Sequence, residues 1–276
     1  MIGRRAKRLP IFITANMEEK KLDILIPCAQ RHIRVLPECI KGVKENIVNA
    51  GDVYVALESG DILVDPEHIG GATLIPEDDI ACVTSSEIEA YWKDNSPMEP
   101  RVGWLKQQII KMRAYRLGML SNDFITVDAD HYLLKPHRFT EDGKYVYYTR
   151  NFYMYWFEIM VPVLLKDAEK YRPNIRWSPV TEKMVFNKAL LQEVTETVEA
   201  VQGKPLWQAA IDCCKGNGKM MFSEFTLYNV YVLKNYPDLL TEKKEALGVS
   251  HMLPDGEMAY ETVKGNFDGF ESVSFF

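Results

Sequence analysis

Residues Asp123 to Pro136 read "DFITVDADHYLLKP". A short apolar run, Phe124 to Val127, leads straight into Asp128-Ala129-Asp130, and the chain turns apolar again at Tyr132-Leu133-Leu134. Such a run suits a strand buried on both faces, as in a parallel sheet. Ligands of open parallel sheets gather outside the carboxyl ends of the strands, which is where these aspartates fall. In an extended segment residues i and i+2 share a side, so the spacing predicts that Asp128 and Asp130 face one centre. Two like charges at the end of a buried strand repel each other and are hard to desolvate, and a cation relieves both penalties. Hard oxygen ligands at this spacing suit Mg²⁺ or Mn²⁺. The competing reading makes Asp128 a turn cap and Asp130 a solvated charge.

The surrounding sequence alternates strand and helix patterns. "KLDILIPCA" (Lys21 to Ala29) reads as a buried strand, and "RVLPECIKGVKENI" places Val35, Cys39, Ile40, Val43 and Ile47 at helical spacing. "DVYVALES" (Asp52 to Ser59) reads as a second strand and "ATLIPEDDI" (Ala72 to Ile80) as a third. After the polar loop "SPMEPRVG", the segment "WLKQQIIKMRAYRLGML" carries one apolar stripe and leads into the Asp128 strand. This order predicts an α/β fold, a mainly parallel sheet flanked by helices in a single domain. Further on, the pattern predicts a strand near Met184 to Phe186, helices over "KALLQEVTETVEAV" and "PLWQAAIDCCKG", and a helix capped by Ser223 in "SEFTLYNVYVLKNY". The Gly-rich end suits a flap or an edge strand.

Composition excludes several classes. With 276 residues, 47% hydrophobic and 26% charged, the chain suits one large soluble domain. Thirty-three basic against 39 acidic residues, a formal charge of −6, argue against a nucleic-acid partner. The five cysteines lack zinc-type spacing and make no even disulfide set, which suits a reduced cytoplasmic protein. There is no 18-residue apolar run and no apolar leader, so no transmembrane segment is expected. Residues 1–20 read as a basic arm, with "GRRAKR" at Gly3 to Arg8 open to a solvated role or to peripheral contact with anionic lipid.

The combination "GWLKQQIIKMRAYRLGMLSNDFITVDADHYLLKP" resembles the helix, strand and Asp-x-Asp segment of GT-A type nucleotide-sugar-dependent glycosyltransferases, which have a Rossmann-like fold. It is most similar to a functionally poorly characterised bacterial group with a Gly-Trp, Gln-Gln, Lys helix before that strand, and more loosely to glycogenin-like enzymes. The likeness covers Leu22 to Pro136 well and the rest much less. It implies a nucleotide-sugar-binding half at residues 21–140, and an acceptor-binding half with a C-terminal flap at 141–276. It also implies a nucleotide-sugar donor, a UDP-sugar foremost, bridged to Asp128 and Asp130 by Mn²⁺ or Mg²⁺, and a saccharide or glycan acceptor. Asp130 would ligate metal directly, and Asp128 would do so through water or contact the ribose beside Ala129. Lys111 would approach the phosphates, Gln107 or Gln108 would hydrogen-bond the donor, and Trp104 would cover it. Pro27, Cys28 and Ala29 would receive the base, with Arg31 and His32 nearby; a nucleophilic Cys28 would need an acid–base partner, and none is visible.

In the second half, Glu224 in "MFSEFTLYN" matches the position of the acidic residue that accepts the acceptor's proton, with inversion favoured, although it also suits a helix N-terminus on electrostatic grounds alone. His251 in "GVSHMLPDG" is the candidate third metal ligand, while His131 and His137 read as structural or supporting. The aromatic block Phe152 to Phe157 reads as core with one or two rings free for a pocket. Two other classes stay open: a nucleotidyltransferase or metal-dependent phosphohydrolase, and a non-catalytic carbohydrate-binding relative.

Overall fold

The computed structural model describes residues 20–58, 65, 69–151, 155–171, 178–214, 222–250 and 260–275. The basic cluster at 3–8, His251 and the side chains of the aromatic block at 152–157 lie outside them.

In chain order the elements begin with β1 (Leu22–Pro27), α1 (Leu36–Asn46), β2 (Ala50–Leu57), β3 (Thr73–Pro76), α2 (Glu77–Ala81), α3 (Ser85–Asn95) and α4 (Val102–Arg113). The middle of the chain forms β4 (Asp123–Val127), β5 (His131–Leu133), β6 (Thr140–Glu141), β7 (Lys144–Thr149), α5 (Tyr155–Leu165), α6 (Ala168–Tyr171) and β8 (Lys183–Asn187). It ends with α7 (Lys188–Gln202), α8 (Leu206–Cys213), α9 (Glu224–Asn235), β9 (Leu240–Lys244), β10 (Leu247–Ser250), α10 (Tyr260–Asn266) and β11 (Ser272–Phe275).

The central sheet runs β3-β2-β1-β4-β8. Its first four strands are parallel, and β8 pairs antiparallel with β4 in the register Ile125 opposite Val185. Every residue of β4 is buried, as expected of a strand with a neighbour on each edge and helices across its faces. The chain winds outward from β1 through β2 to β3, then returns to place β4 on the other side of β1. The order therefore reverses between β1 and β4, and the carboxyl ends of those two strands frame a crevice. The molecule is a single mixed α/β domain with a mostly parallel central sheet and flanking helices. Among the described residues no helix is long and apolar enough to cross a membrane.

Two expectations need correction. The strand expected over Ala72 to Ile80 stops at Pro76, and Glu77, Asp78 and Asp79 instead form the first turn of α2, where carboxylates meet the positive end of the helix dipole. The turn following β4 is also not extended, as described below. A third element, α3, was not expected at all, although Thr84 and Glu87 carry its signature. Glu87 N donates to Thr84 Oγ1 (3.2 Å) and Thr84 N donates to Glu87 Oε2 (2.8 Å), a reciprocal cap. Replacing Thr84 with alanine is expected to lower stability by about 1 kcal/mol in urea unfolding.

Two small sheets, β6-β7-β9 and β10-β11-β5, lie beside the central one. The C-terminal strand β11 sits between β10 and β5 rather than at an edge. Helix α1 seats closely on β5, because a side chain at Gly42 would come within 3.1 Å of the Leu133 carbonyl oxygen. A buried polar cluster ties these pieces together. Lys183 Nζ donates to Glu245 Oε1 (2.6 Å), Glu245 Oε2 (2.7 Å) and Ser272 Oγ (3.2 Å), and it faces His131 Nε2 at 3.2 Å. His137 Nε2 meets Glu245 Oε1 at 3.0 Å. Burial and the neighbouring Lys183 push His131 well below the usual imidazole range, so its ring is neutral and Nδ1–H donates to Ser274 Oγ at 2.7 Å. His131 and His137 thus have the structural role that the sequence assigns them.

Candidate functional site

Asp128 and Asp130 stand at the crevice between β1 and β4, on a turn. His131 N donates to Asp128 O (3.0 Å), which folds the segment back into β5, whereas the sequence predicts an extended run. The turn is held from two sides: Asp128 N donates to Glu182 O (2.8 Å) and Phe275 N donates to Asp130 O (3.0 Å). Ala129 is packed beneath it and does not reach the cavity. Both carboxylates nevertheless enter the wall of one cavity of about 800 Å³.

Helix α4 supplies the opposite charge. Lys111 is 1% exposed and makes two ion pairs, one with Asp128 Oδ1 and one with Glu224 Oε1 at 2.7 Å. Burial pulls its pKa down, but Asp128 and Glu224 outweigh that and hold it above the ordinary lysine range. Gln107 Nε2 donates to the same Asp128 oxygen at 3.0 Å. With its amide nitrogen turned to the available acceptors, Gln108 donates to Glu224 Oε2 (2.9 Å) and Phe222 O (3.1 Å), and accepts from Trp104 Nε1 (3.2 Å). Successive turns of one helix therefore fix both carboxylates. Glu224 opens α9 behind the Ser223 cap, whose hydroxyl accepts from Thr226 N at 3.3 Å. Burial raises the Glu224 pKa against the pull of Lys111.

Asp130 is the least compensated acid. Burial, followed by the nearby Asp128, raises its pKa to about 7. His32 Nε2 lies 3.5 Å from Asp130 Oδ2, but burial and then Arg31 push that imidazole down to about 4. Arg31 Nε also donates to His32 Nε2 at 3.0 Å. The His32 contact at pH 7 is therefore not an ion pair, and among the described residues Asp130 has no counter-charge of its own.

Of the residues singled out from sequence, Arg31, His32, Trp104, Gln107, Gln108, Lys111, Asp128, Asp130 and Glu224 share this cavity. Pro27 and Cys28 are buried at the end of β1 and Ala29 is exposed, and none of the three is in the cavity wall. Cys28 Sγ faces the Ala29 carbonyl at 3.4 Å. Lys111, also in the cavity wall, is paired with the two carboxylates Asp128 and Glu224. Sequence reasoning missed Arg101, Arg150, Glu182 and Glu245, which also line the cavity. Glu182 is buried, and burial raises its pKa to about 7 against the pull of Arg150. Among the described residues no group of three or more His, Cys, Asp or Glu is arranged to enclose a metal ion.

No curated protein matches this sequence. A family model does match residues 51–259, well over half of the chain, and that span includes α4, the Asp128 turn, Glu182 and Glu224. The chain belongs to the DUF6492 family, described as a family of unknown function.

Proposed function

We propose that the protein is a GT-A type, metal-dependent glycosyltransferase of the cytoplasm, moving a sugar from a nucleotide-sugar donor to a saccharide or glycan acceptor. The observation that carries this reading is the placement of Asp128 and Asp130 together in one large cavity, at the point where the strand order reverses. The donor set fits a hard divalent cation with an open coordination sphere. Among the described residues Asp130 is a buried carboxyl without its own counter-charge, and Asp128 engages Lys111 and Gln107 through one oxygen, Oδ1. Two carboxylates with no enclosing third group among the described residues suit Mn²⁺ or Mg²⁺, which take the remaining positions from water and phosphate. When bound there, the cation would neutralise diphosphate charge and stabilise the departing nucleoside diphosphate.

The chain's own residues then divide the work. Arg31 and Arg101 present positive charge to the diphosphate, beside Lys111, which holds Asp128 and Glu224. Trp104, with Arg101 5.9 Å from its ring centroid, covers the donor. Glu224 receives the proton. A carboxylate has about four lone-pair sites, and Lys111 and Gln108 leave room for an acceptor hydroxyl. That hydroxyl oxygen forms the new bond to the anomeric carbon as its proton passes to Glu224. The old carbon–oxygen bond breaks with its electron pair leaving on the diphosphate, and one in-line displacement inverts the anomeric centre.

The test is a thermal-shift and hydrolysis screen of UDP-, GDP-, dTDP- and CMP-sugars with and without Mn²⁺. Metal-dependent stabilisation by at least one nucleotide sugar is expected. Its absence across all four would remove the reading.

A further inference from the structure

Glu182 stands immediately before β8 with a backbone φ of +59°, in the left-handed region that side-chain-bearing residues seldom adopt. Residues held this way cluster at ligand sites, where the surroundings over-determine them. Here the surroundings are specific. The Glu182 carbonyl takes the amide of Asp128 at 2.8 Å, which ties this residue to the aspartate turn. Its side chain is 6% exposed and belongs to the cavity wall. The two carboxylate oxygens differ sharply: Oε1 is gripped by Arg150 at 3.1 Å, while Oε2 is buried with no hydrogen-bond partner among the described residues. A buried acceptor without a donor is unfavourable, and native folds rarely leave one.

For the ionised carboxylate, the form that Arg150 favours, the missing partner must be a donor. Phosphate oxygens have no proton to offer at neutral pH and would be repelled by Asp128, Asp130 and Glu182 together. A second cation is not called for, because Arg150 already balances the Glu182 charge. A neutral hydroxyl fits. We propose that Glu182 Oε2 accepts hydrogen bonds from hydroxyl groups of the sugar carried by the nucleotide donor, with Arg150 fixing the carboxylate in place. This assignment rests on the glycosyl-transfer reading and adds the group that recognises the transferred unit. The wall at β8 selects a polyhydroxylated ring, and the α4 wall manages charge.

The experiment measures affinities by calorimetry in Mn²⁺ for UDP, GDP and dTDP, and for UDP-glucose, GDP-mannose and dTDP-glucose. Wild type, Glu182→Ala and Glu182→Gln are compared. In the wild type one sugar conjugate is expected to bind about tenfold more tightly than its bare diphosphate, the size of one charge-assisted hydrogen bond. Glu182→Ala is expected to erase that ratio while leaving diphosphate affinity unchanged or improved, because a negative charge near the phosphates is gone. A merely structural defect would weaken both ligands. Glu182→Gln retains an oxygen for Arg150, folds as the wild type does, and is expected to lose most of the ratio. A ratio that survives in either folded variant, or that is absent from the wild type, overturns the assignment of Glu182 while diphosphate binding stands. If no diphosphate binds the wild type, the glycosyl-transfer reading falls, and this assignment with it.

Discussion

Replacing Asp130 with asparagine is expected to raise the thermal midpoint of the metal-free protein at pH 8 and to abolish its stabilisation by Mn²⁺. The folded-state pKa of about 7 lies above the ordinary 3.8, so the folded chain retains a proton that the unfolded chain has released. Stability therefore falls as pH rises from about 4 to about 7 and stays low above that. Well below pH 4 both states are protonated and the penalty vanishes, and near pH 4 little of it is left. A rise of this size corresponds to about 4 kcal/mol at full ionisation, and even half of it would move the midpoint by about 4 °C or more in a protein of this length. Asparagine imitates the protonated acid, so the variant gains above pH 7 and matches the wild type near pH 4. Mn²⁺ at a hundredfold excess over its dissociation constant would stabilise the wild type by about 2.7 kcal/mol, and the variant by none. Melting curves at pH 4, 6 and 8, in chelator and in Mn²⁺, decide the matter. An unchanged midpoint at pH 8 would show that Asp130 is adequately solvated, and persisting Mn²⁺ stabilisation would place the cation elsewhere.

Lys111→Met is expected to destabilise the protein by about 3–5 kcal/mol at pH 8, the usual consequence of removing one member of a buried ion pair. Its ammonium lies between Asp128 and Glu224 and 4.4 Å from the centroid of the Phe225 ring, so the methionine stem keeps the apolar contact while both carboxylates lose their cation. The damage is electrostatic and should shrink at pH 5, where the stranded Glu224, whose pKa burial already raises, takes up a proton more readily. Adding Glu224→Gln to the Lys111→Met background should recover part of the loss, because one of the two uncompensated charges is removed. Urea unfolding of the single and double variants measures both effects. A loss below about 1 kcal/mol, or no recovery in the double variant, would mean that water reaches the ammonium and that the trio is not closed off.

The parts of the fold legible in the sequence are those governed by local periodicity. The stripe on α1, the apolar run of β4 and the Ser223 cap of α9 are read correctly because each is decided by residues within a few positions of one another. Helix α3 was legible too, since Thr84 and Glu87 form a reciprocal cap, but its weakly striped surface does not announce it. The errors have a common origin in turn chemistry. Three acids after Pro76 start a helix where apolar content suggested a strand, and the Asp128 turn closes through a backbone bond that no spacing rule reports.

The candidate site divides the same way. Trp104, Gln108 and Lys111 lie three to four residues apart on one helix, so their convergence is a local property. Glu182 reaches the cavity because β8 runs antiparallel to β4, placing Lys183 opposite Val127 and its predecessor beside Asp128, and Arg150 follows β7 and bridges Ser178. Nothing in "SPVTEKMVF" marks that pairing. Lys111 illustrates the limit from the other side: its position was legible, but its commitment to two carboxylates depends on α9 arriving from far along the chain.

The bond from Phe275 N to Asp130 O bears on biosynthesis. As the chain emerges from the ribosome, β1, β2 and β4 can pair once residue 127 is out, but one of the two struts of the aspartate turn is not yet made. That strut arrives only with β11 (Ser272–Phe275), far along the chain from Asp130. A nascent chain can thus pair the strands of the central sheet well before the Asp128 turn is fully braced, so the turn takes its final shape only after the sheet that carries it.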